Sequence, residues 1–202
     1  MQRRTAILLA TVAALAATSL PASAQSLATA TTSLNIRSGP GPEYPVTGAI
    51  PDKAQATVTG CIQGSLWCQV TYNGKQGWAY SQYMMAMAGG QAVMVNQTVP
   101  AIVQPQTTVG TTVVTRTISG DFIAPVAGSP MSIAPPPAPV QTYIVQNPAQ
   151  QVYLNGEVVE GVGLPEDVVL TPVPNYEYSY AYVNGVPVLV EPSSRRVTYI
   201  YR

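Results

Sequence analysis

Cys68-Gln69-Val70-Thr71-Tyr72-Asn73-Gly74-Lys75-Gln76-Gly77-Trp78-Ala79-Tyr80 is the stretch that decides the fold class. An Asn-Gly pair between two short runs rich in Val, Thr, Tyr and Trp predicts a hairpin, because both residues tolerate the positive φ of a type I′ turn. Upstream, Ala54 to Gly60 alternates small apolar residues with Thr, and Leu34-Asn35-Ile36-Arg37 alternates again. Ser38-Gly39-Pro40-Gly41-Pro42 then imposes an irregular loop. No helical period intervenes, so residues 28–87 are expected to form a small β-barrel of short strands.

The N-terminus has a different character. Arg3 and Arg4 precede an apolar, Ala/Leu-rich run from Ala6 to about Leu20, which Pro21 breaks before the small-x-small triplet Ala22-Ser23-Ala24. This is the pattern of a cleaved export signal, expected over residues 1–24. The run is shorter than the roughly 20 residues a spanning helix needs, so no integral membrane segment is expected after cleavage. Cleavage near Gln25 removes two of the nine Lys/Arg and none of the nine Asp/Glu, leaving a slightly acidic chain. Nucleic acid is therefore not an expected partner, since phosphate binding needs a basic surface.

Cys61 and Cys68 are the only cysteines. In an exported protein the default is a disulfide, here stapling the mouth of the hairpin whose turn is Ile62 to Trp67. A two-Cys metal site has no His to complete it, so no metal is expected. Met84, Met85, Met87 and Met94 read as packing residues rather than a Cu(I) thioether set.

From residue 88 to 140 Thr, Val, Gln, Gly and Pro dominate, ending in Ala134-Pro135-Pro136-Pro137-Ala138-Pro139. This predicts an extended linker, within which 92–95 and 111–118 have strand composition. A second β module is expected over residues 141–202. Val152-Tyr153-Leu154 and Ala181-Tyr182-Val183 each run into Asn-Gly, predicting two hairpins. The second continues through Pro192-Ser193-Ser194 into a third strand, making a meander, and Pro187 argues for an edge strand or a bulge. Eight of the twelve tyrosines fall in this module. Tyr176, Tyr178, Tyr180 and Tyr182 recur with period two, as do Tyr199 and Tyr201, so extended strands place each set on one face. Such a face is either a sheet core built from Tyr or a stacking platform for sugars and peptides.

Leu34-Asn35-Ile36-Arg37-Ser38-Gly39-Pro40, then Gly48, Trp67 and Asn73-Gly74-Lys75-x-Gly77-Trp78, resembles the bacterial SH3 (SH3b) domain family over about sixty residues. The paired Cys around the turn before Trp67 resemble its exported subgroup. The resemblance implies an SH3-like barrel that binds peptides or cell-wall material. Residues Gly163-Leu164-Pro165, Val168 to Pro174 and Tyr182 to Ile200 resemble a C-terminal domain of unknown function from alphaproteobacterial envelope proteins, which implies no chemistry.

Arg37 is expected to anchor the Pro/Gly loop through backbone carbonyls, with ligand contact as its other role. Tyr44 and Trp67 are candidate exposed aromatics for binding, or else rings that cover the barrel end. Glu157, Glu160, Glu166 and Asp167 are expected to be a solvated hairpin rim, and Arg195 and Arg196 to lie exposed at a turn. With no His, both Cys paired and no phosphate loop, no catalytic constellation or cofactor site is expected. An outer-membrane barrel is excluded by the polyproline tract and the short strands. Two readings remain. One is a periplasmic or secreted binding module for peptidoglycan or envelope proteins; the other is an envelope scaffold without a small ligand.

Overall fold

The computed structural model describes residues 25–102, 118–124 and 134–202. The expected signal segment and most of the expected strand at 111–118 lie outside these residues.

Among the described residues, nine strands build a first sheet: β1 (Ser26–Ala30), β2 (Leu34–Arg37), β3 (Val46–Ile50), β4 (Gln55–Ile62), β5 (Trp67–Tyr72), β6 (Lys75–Tyr80), β7 (Met84–Ala88), β8 (Gln91–Met94) and β9 (Ala101–Ile102). Their order is β3-β2-β6-β5-β4-β1-β7-β8, with β9 added in parallel to β4. The deciding hairpin is present, Tyr72 facing Lys75 across Asn73 (φ 47°) and Gly74 (φ 77°). Alternation along each strand sends one set of side chains inward. Ala28, Leu34, Ile36, Ile50, Val58, Val70, Ala79 and Met84 are almost fully buried in one cluster. Gly77 is required where β2 crosses β6, because a Cβ there would lie 2.4 Å from Ile36 and 2.6 Å from the Arg37 carbonyl oxygen. Strands β8 and β9 follow Met87, so part of the stretch read as linker extends this sheet.

The second sheet contains β10 (Ile118–Asp121), β11 (Gln151–Asn155), β12 (Thr171–Pro172), β13 (Ser179–Val183), β14 (Val186–Glu191) and β15 (Arg196–Ile200). The order is β10-β11-β13-β14-β15, with β12 on β13. The β13-β14-β15 meander is antiparallel as expected, but β11 joins both β10 and β13 in parallel, so the sheet is mixed. Asn184 (φ 51°) and Gly185 (φ 81°) make the expected tight turn.

Asn155-Gly156 does not form the expected hairpin. Only Gly156 takes a positive φ there, whereas a type I′ turn needs two. The chain instead dives under the sheet and buries Val158, Val159, Val162, Leu164 and Val168. Of the two expectations for Pro187 the edge strand is not met, since β14 is flanked by both β13 and β15, but its pairing with β15 does carry a register shift between Leu189 and Val190. Pro187 is tolerated because pairing with β15 begins one residue later, at Val188, so the missing N–H falls where that ladder ends.

A helix was not expected, yet α1 (Ala138–Gln146) follows the polyproline tract. Pro139 sits in its first turn, where an amide hydrogen has no intrahelical partner to lose. Val140 and Ile144 pack on Val173, Tyr180 and Leu189, ringed by Tyr143, Tyr176, Tyr178, Tyr182, Tyr199 and Tyr201. The two sheets are not independent in their packing. One apolar cluster runs from Ala28, Ile36 and Val70 of the first into Leu154, Val158, Val183 and Val197 of the second.

Candidate functional site

Every residue of β2 is buried, including the two polar ones. Arg37 is fully buried and its guanidinium grips Glu157 with two parallel bonds, Nε to Oε2 at 2.5 Å and Nη2 to Oε1 at 2.6 Å. Its remaining nitrogen, Nη1, donates to the carbonyls of Pro42 (3.0 Å), Tyr44 (2.8 Å) and Asn184 (2.8 Å). Glu157 Oε1 also accepts from Asn35 Nδ2 and from the Val158 amide. Asn184 receives the Leu154 amide and donates to the Gly156 carbonyl, closing the turn around Glu157. At the edge of the cluster Arg202 donates to Asn35 Oδ1 and to the Ser33 carbonyl. A buried charge is tolerated when it is paired and its other donors are satisfied, and both conditions hold here.

Arg37 thus anchors the Pro/Gly loop as expected, but as a ligand contact it is corrected: no part of it reaches solvent. Glu157, expected on a solvated rim, is its buried partner, while Glu166 and Asp167 are exposed as expected. Arg195 and Arg196 are half-buried clasps instead of exposed turn residues. The first donates to the Pro165 and Val168 carbonyls and the second to the Gly161 carbonyl.

Tyr44 is 36 % exposed, and its ring lies so close to Gly39 that a Cβ there would clash at 2.2 Å. Trp67 is only 5 % exposed, which corrects its reading as an exposed loop aromatic. The hairpin turn folds it against Tyr80, edge to face with centroids 5.3 Å apart, and Tyr80 in turn meets Tyr83 at 6.3 Å. Cys61 and Cys68 are directly opposed on β4 and β5 and form the expected disulfide.

Family comparison agrees with this geometry: residues 32–85, from the buried β2 motif through the hairpin, match the bacterial SH3 domain family. The first sheet carries a bacterial SH3 domain. Residues 143–202, covering α1 and most of the second sheet, match a family described as a domain of unknown function, DUF1236. A comparison with curated proteins finds no match. A bacterial SH3 domain suggests a binding module, and the second matched family has no described function. The disulfide fits an oxidising, non-cytoplasmic compartment. Among the described residues no helix is long and apolar enough to cross a membrane.

Where the SH3 domain meets the second sheet there is a hollow of about 470 Å³, lined by Gly64, Ser65, Leu66, Trp67, Tyr80, Asn96 and Asn155. Trp67, Tyr80 and Ser65 come from the SH3 domain, and Asn155 comes from the end of β11. None of its lining side chains carries a charge. Asn96 Oδ1 is buried without a hydrogen-bond partner among the described residues. The pocket was only partly legible in the sequence: Trp67 was singled out there as a binding candidate, whereas Tyr80 and Asn155 were read only as parts of hairpins and Asn96 carries no motif.

The tyrosine face resolves toward packing. Tyr180 is 1 % exposed, its hydroxyl donates to the Asn147 carbonyl, and Tyr182 donates to the Ile144 carbonyl, so both rings hold α1 on the sheet. Burial pushes the Tyr201 phenol up to about 12, helped by Tyr199 and Tyr176.

Proposed function

We propose that this chain is an exported, non-enzymatic binding protein of the cell envelope. In this reading the hollow between the SH3 domain and the second module recognises an uncharged, polar stretch of peptidoglycan or of an envelope polypeptide. The observation that carries it is the uncharged, aromatic- and carboxamide-lined hollow where the two sheets meet. Aromatic faces accept sugar or peptide carbon–hydrogen surfaces, and carboxamides both donate and accept hydrogen bonds. At about 470 Å³ it lies within the range of small-ligand pockets. The apolar, Ala-rich N-terminal run with its small-x-small end supports export.

The test is co-sedimentation of residues 25–202 with purified peptidoglycan sacculi, beside Asn96→Ala/Asn155→Ala. Two lost hydrogen bonds of about 1 kcal/mol each weaken binding about thirtyfold. The unfolding midpoint should hold, since Asn155 is exposed and Asn96 Oδ1 has no partner to lose. Saturable binding that the double variant loses supports the reading. No binding by the folded wild type removes peptidoglycan and leaves an envelope polypeptide as the ligand; equal binding by both removes the hollow as the site.

A scaffold role without a small ligand is the second reading. The burial of Trp67 and Arg37 favours it, because two of the three sequence candidates are used for packing and docking.

A further inference from the structure

A second cavity shares Tyr80 and Asn155 with the first. It has a volume of about 200 Å³ and is lined by Tyr80, Gln82, Tyr83, Asp121, Phe122, Ala124, Asn155, Gly156, Glu157 and Val162. Its chemistry differs from that of the neighbouring hollow. Three aromatic rings line it together with two carboxylates, and no Lys or Arg does. Glu157 is neutralised by Arg37, but Asp121 is exposed and forms no ion pair among the described residues. Arg196 donates to the carbonyl of Ala124, which lines the cavity, and to that of Gly161.

We infer that this cavity is a subsite for a primary ammonium group, such as the end of a lysine or other diamino-acid side chain. A cation gains from aromatic faces and from an uncompensated carboxylate together, and most when partly desolvated. An anion would be repelled, and a neutral polar group would leave Asp121 unanswered. The volume suits one chain end and not a whole ligand, since pockets for drug-sized molecules begin at roughly 300 Å³. Gly156 is part of the construction: a Cβ there would stand 3.4 Å from the Tyr80 ring, and its φ of +95° strains any other residue.

The two phenols already register the negative field. Burial raises the Tyr80 hydroxyl first and the Asp121 charge raises it further. Burial, then Tyr80 and Glu157, push Tyr83 up to about 12. Both therefore stay protonated at neutral pH and can accept a hydrogen bond from an ammonium group without themselves carrying charge.

The chain contains a single phenylalanine, Phe122, so its ring signals in a phenylalanine-labelled sample report this cavity alone. The experiment titrates residues 25–202 with Nα-acetyl-lysine amide and, separately, with its Nε-acetylated counterpart, reading the Phe122 ring resonances. Saturable shifts with the amine and none with the neutral counterpart are expected. Asp121→Asn, at an exposed position, should weaken the amine about tenfold, and added salt should weaken it too. Gln82→Lys, also exposed, should abolish it by placing a competing cation at the rim. Phe122 signals that do not move, or that move equally with the acetylated probe or in folded Asp121→Asn, overturn the inference. Asn96→Ala, which tests the neighbouring hollow, should leave these shifts intact, so the two sites fail separately.

Discussion

Replacing Glu157 by Ala tests whether the two sheets stand or fall together. Four donors lose their acceptor at once: Arg37 Nε and Nη2, Asn35 Nδ2 and the Val158 amide. Arg37 keeps its three carbonyl contacts through Nη1, but its charge is left in a site with no access to solvent. Removing one member of a buried pair costs about 3–5 kcal/mol. With that many orphaned donors we expect the upper half, about 4 kcal/mol, a large share of the 5–15 kcal/mol that roughly bounds a folded protein's stability. The assay is urea unfolding followed by tryptophan fluorescence. Both tryptophans, Trp67 and Trp78, lie in the SH3 domain, while the substitution lies in the second module. Arg37→Met should cost about as much, and the Arg37→Met/Glu157→Leu double variant much less than the sum, giving a coupling of about 3 kcal/mol in the double-mutant cycle. A tryptophan transition that Glu157→Ala leaves within about 1 kcal/mol of wild type, or additive single changes, would refute the reasoning.

Cys61→Ala/Cys68→Ala should lower stability by about 2.5 kcal/mol on the chain-entropy estimate for an eight-residue loop; reductant should move the wild-type urea midpoint by the same amount and leave the variant unmoved. Hydrogen bonds from Ser193 and Ser194 hold the Glu191 carboxyl down to about 2. Its folded pKa lies below its ordinary value near 4.5, so its stabilisation is present above that pH and is lost as pH falls toward about 2. Because the group is solvent-facing the effect is small, and Glu191→Gln should flatten that part of the stability-pH profile. For the buried phenols the sign reverses: Tyr83 and Tyr201 have raised pKa values of about 12, so their contribution is full below pH 10 and is lost as pH rises toward 12. Tyrosinate absorbance should show a late-titrating class that shrinks in Tyr83→Phe and merges into the early class on unfolding.

Local signals in the sequence translated directly into structure wherever the backbone itself decided the outcome. Asn73-Gly74 and Asn184-Gly185 were legible because a two-residue turn needs two positive φ values and Asn-Gly supplies them. The disulfide was legible from compartment and number of cysteines. Asn155-Gly156 failed because the following Val158, Val159 and Val162 are worth more as buried packing between the sheets than as a returning strand. Helix α1 was hidden by the polyproline tract, whose last proline starts a helix as readily as it ends a linker. Glu157 was the largest miss. Its partner lies 120 residues away, and no periodicity encodes a pairing of that range. The available signal was one acidic residue followed directly by Val158-Val159, a setting in which a carboxylate must either reach solvent or find a cation.

The double use of Arg37 carries a consequence for binding. One guanidinium holds the Pro42–Tyr44 loop and grips the second module, so loop shape and module docking are set by the same bonds. The two cavities beside Tyr80 also exist only in the docked state, because each borrows Asn155 from the second sheet. A ligand seated in either one binds the docked form alone and stabilises it by mass action. Glu157→Ala should therefore weaken sacculus binding without touching the uncharged hollow, and saturating sacculi should recover part of the lost urea resistance. If the variant binds sacculi as tightly as wild type under conditions where its tryptophan transition shows the SH3 domain folded but the modules uncoupled, the recognition surface lies on the SH3 domain alone. The exposed Tyr44 loop would then be the place to look for it.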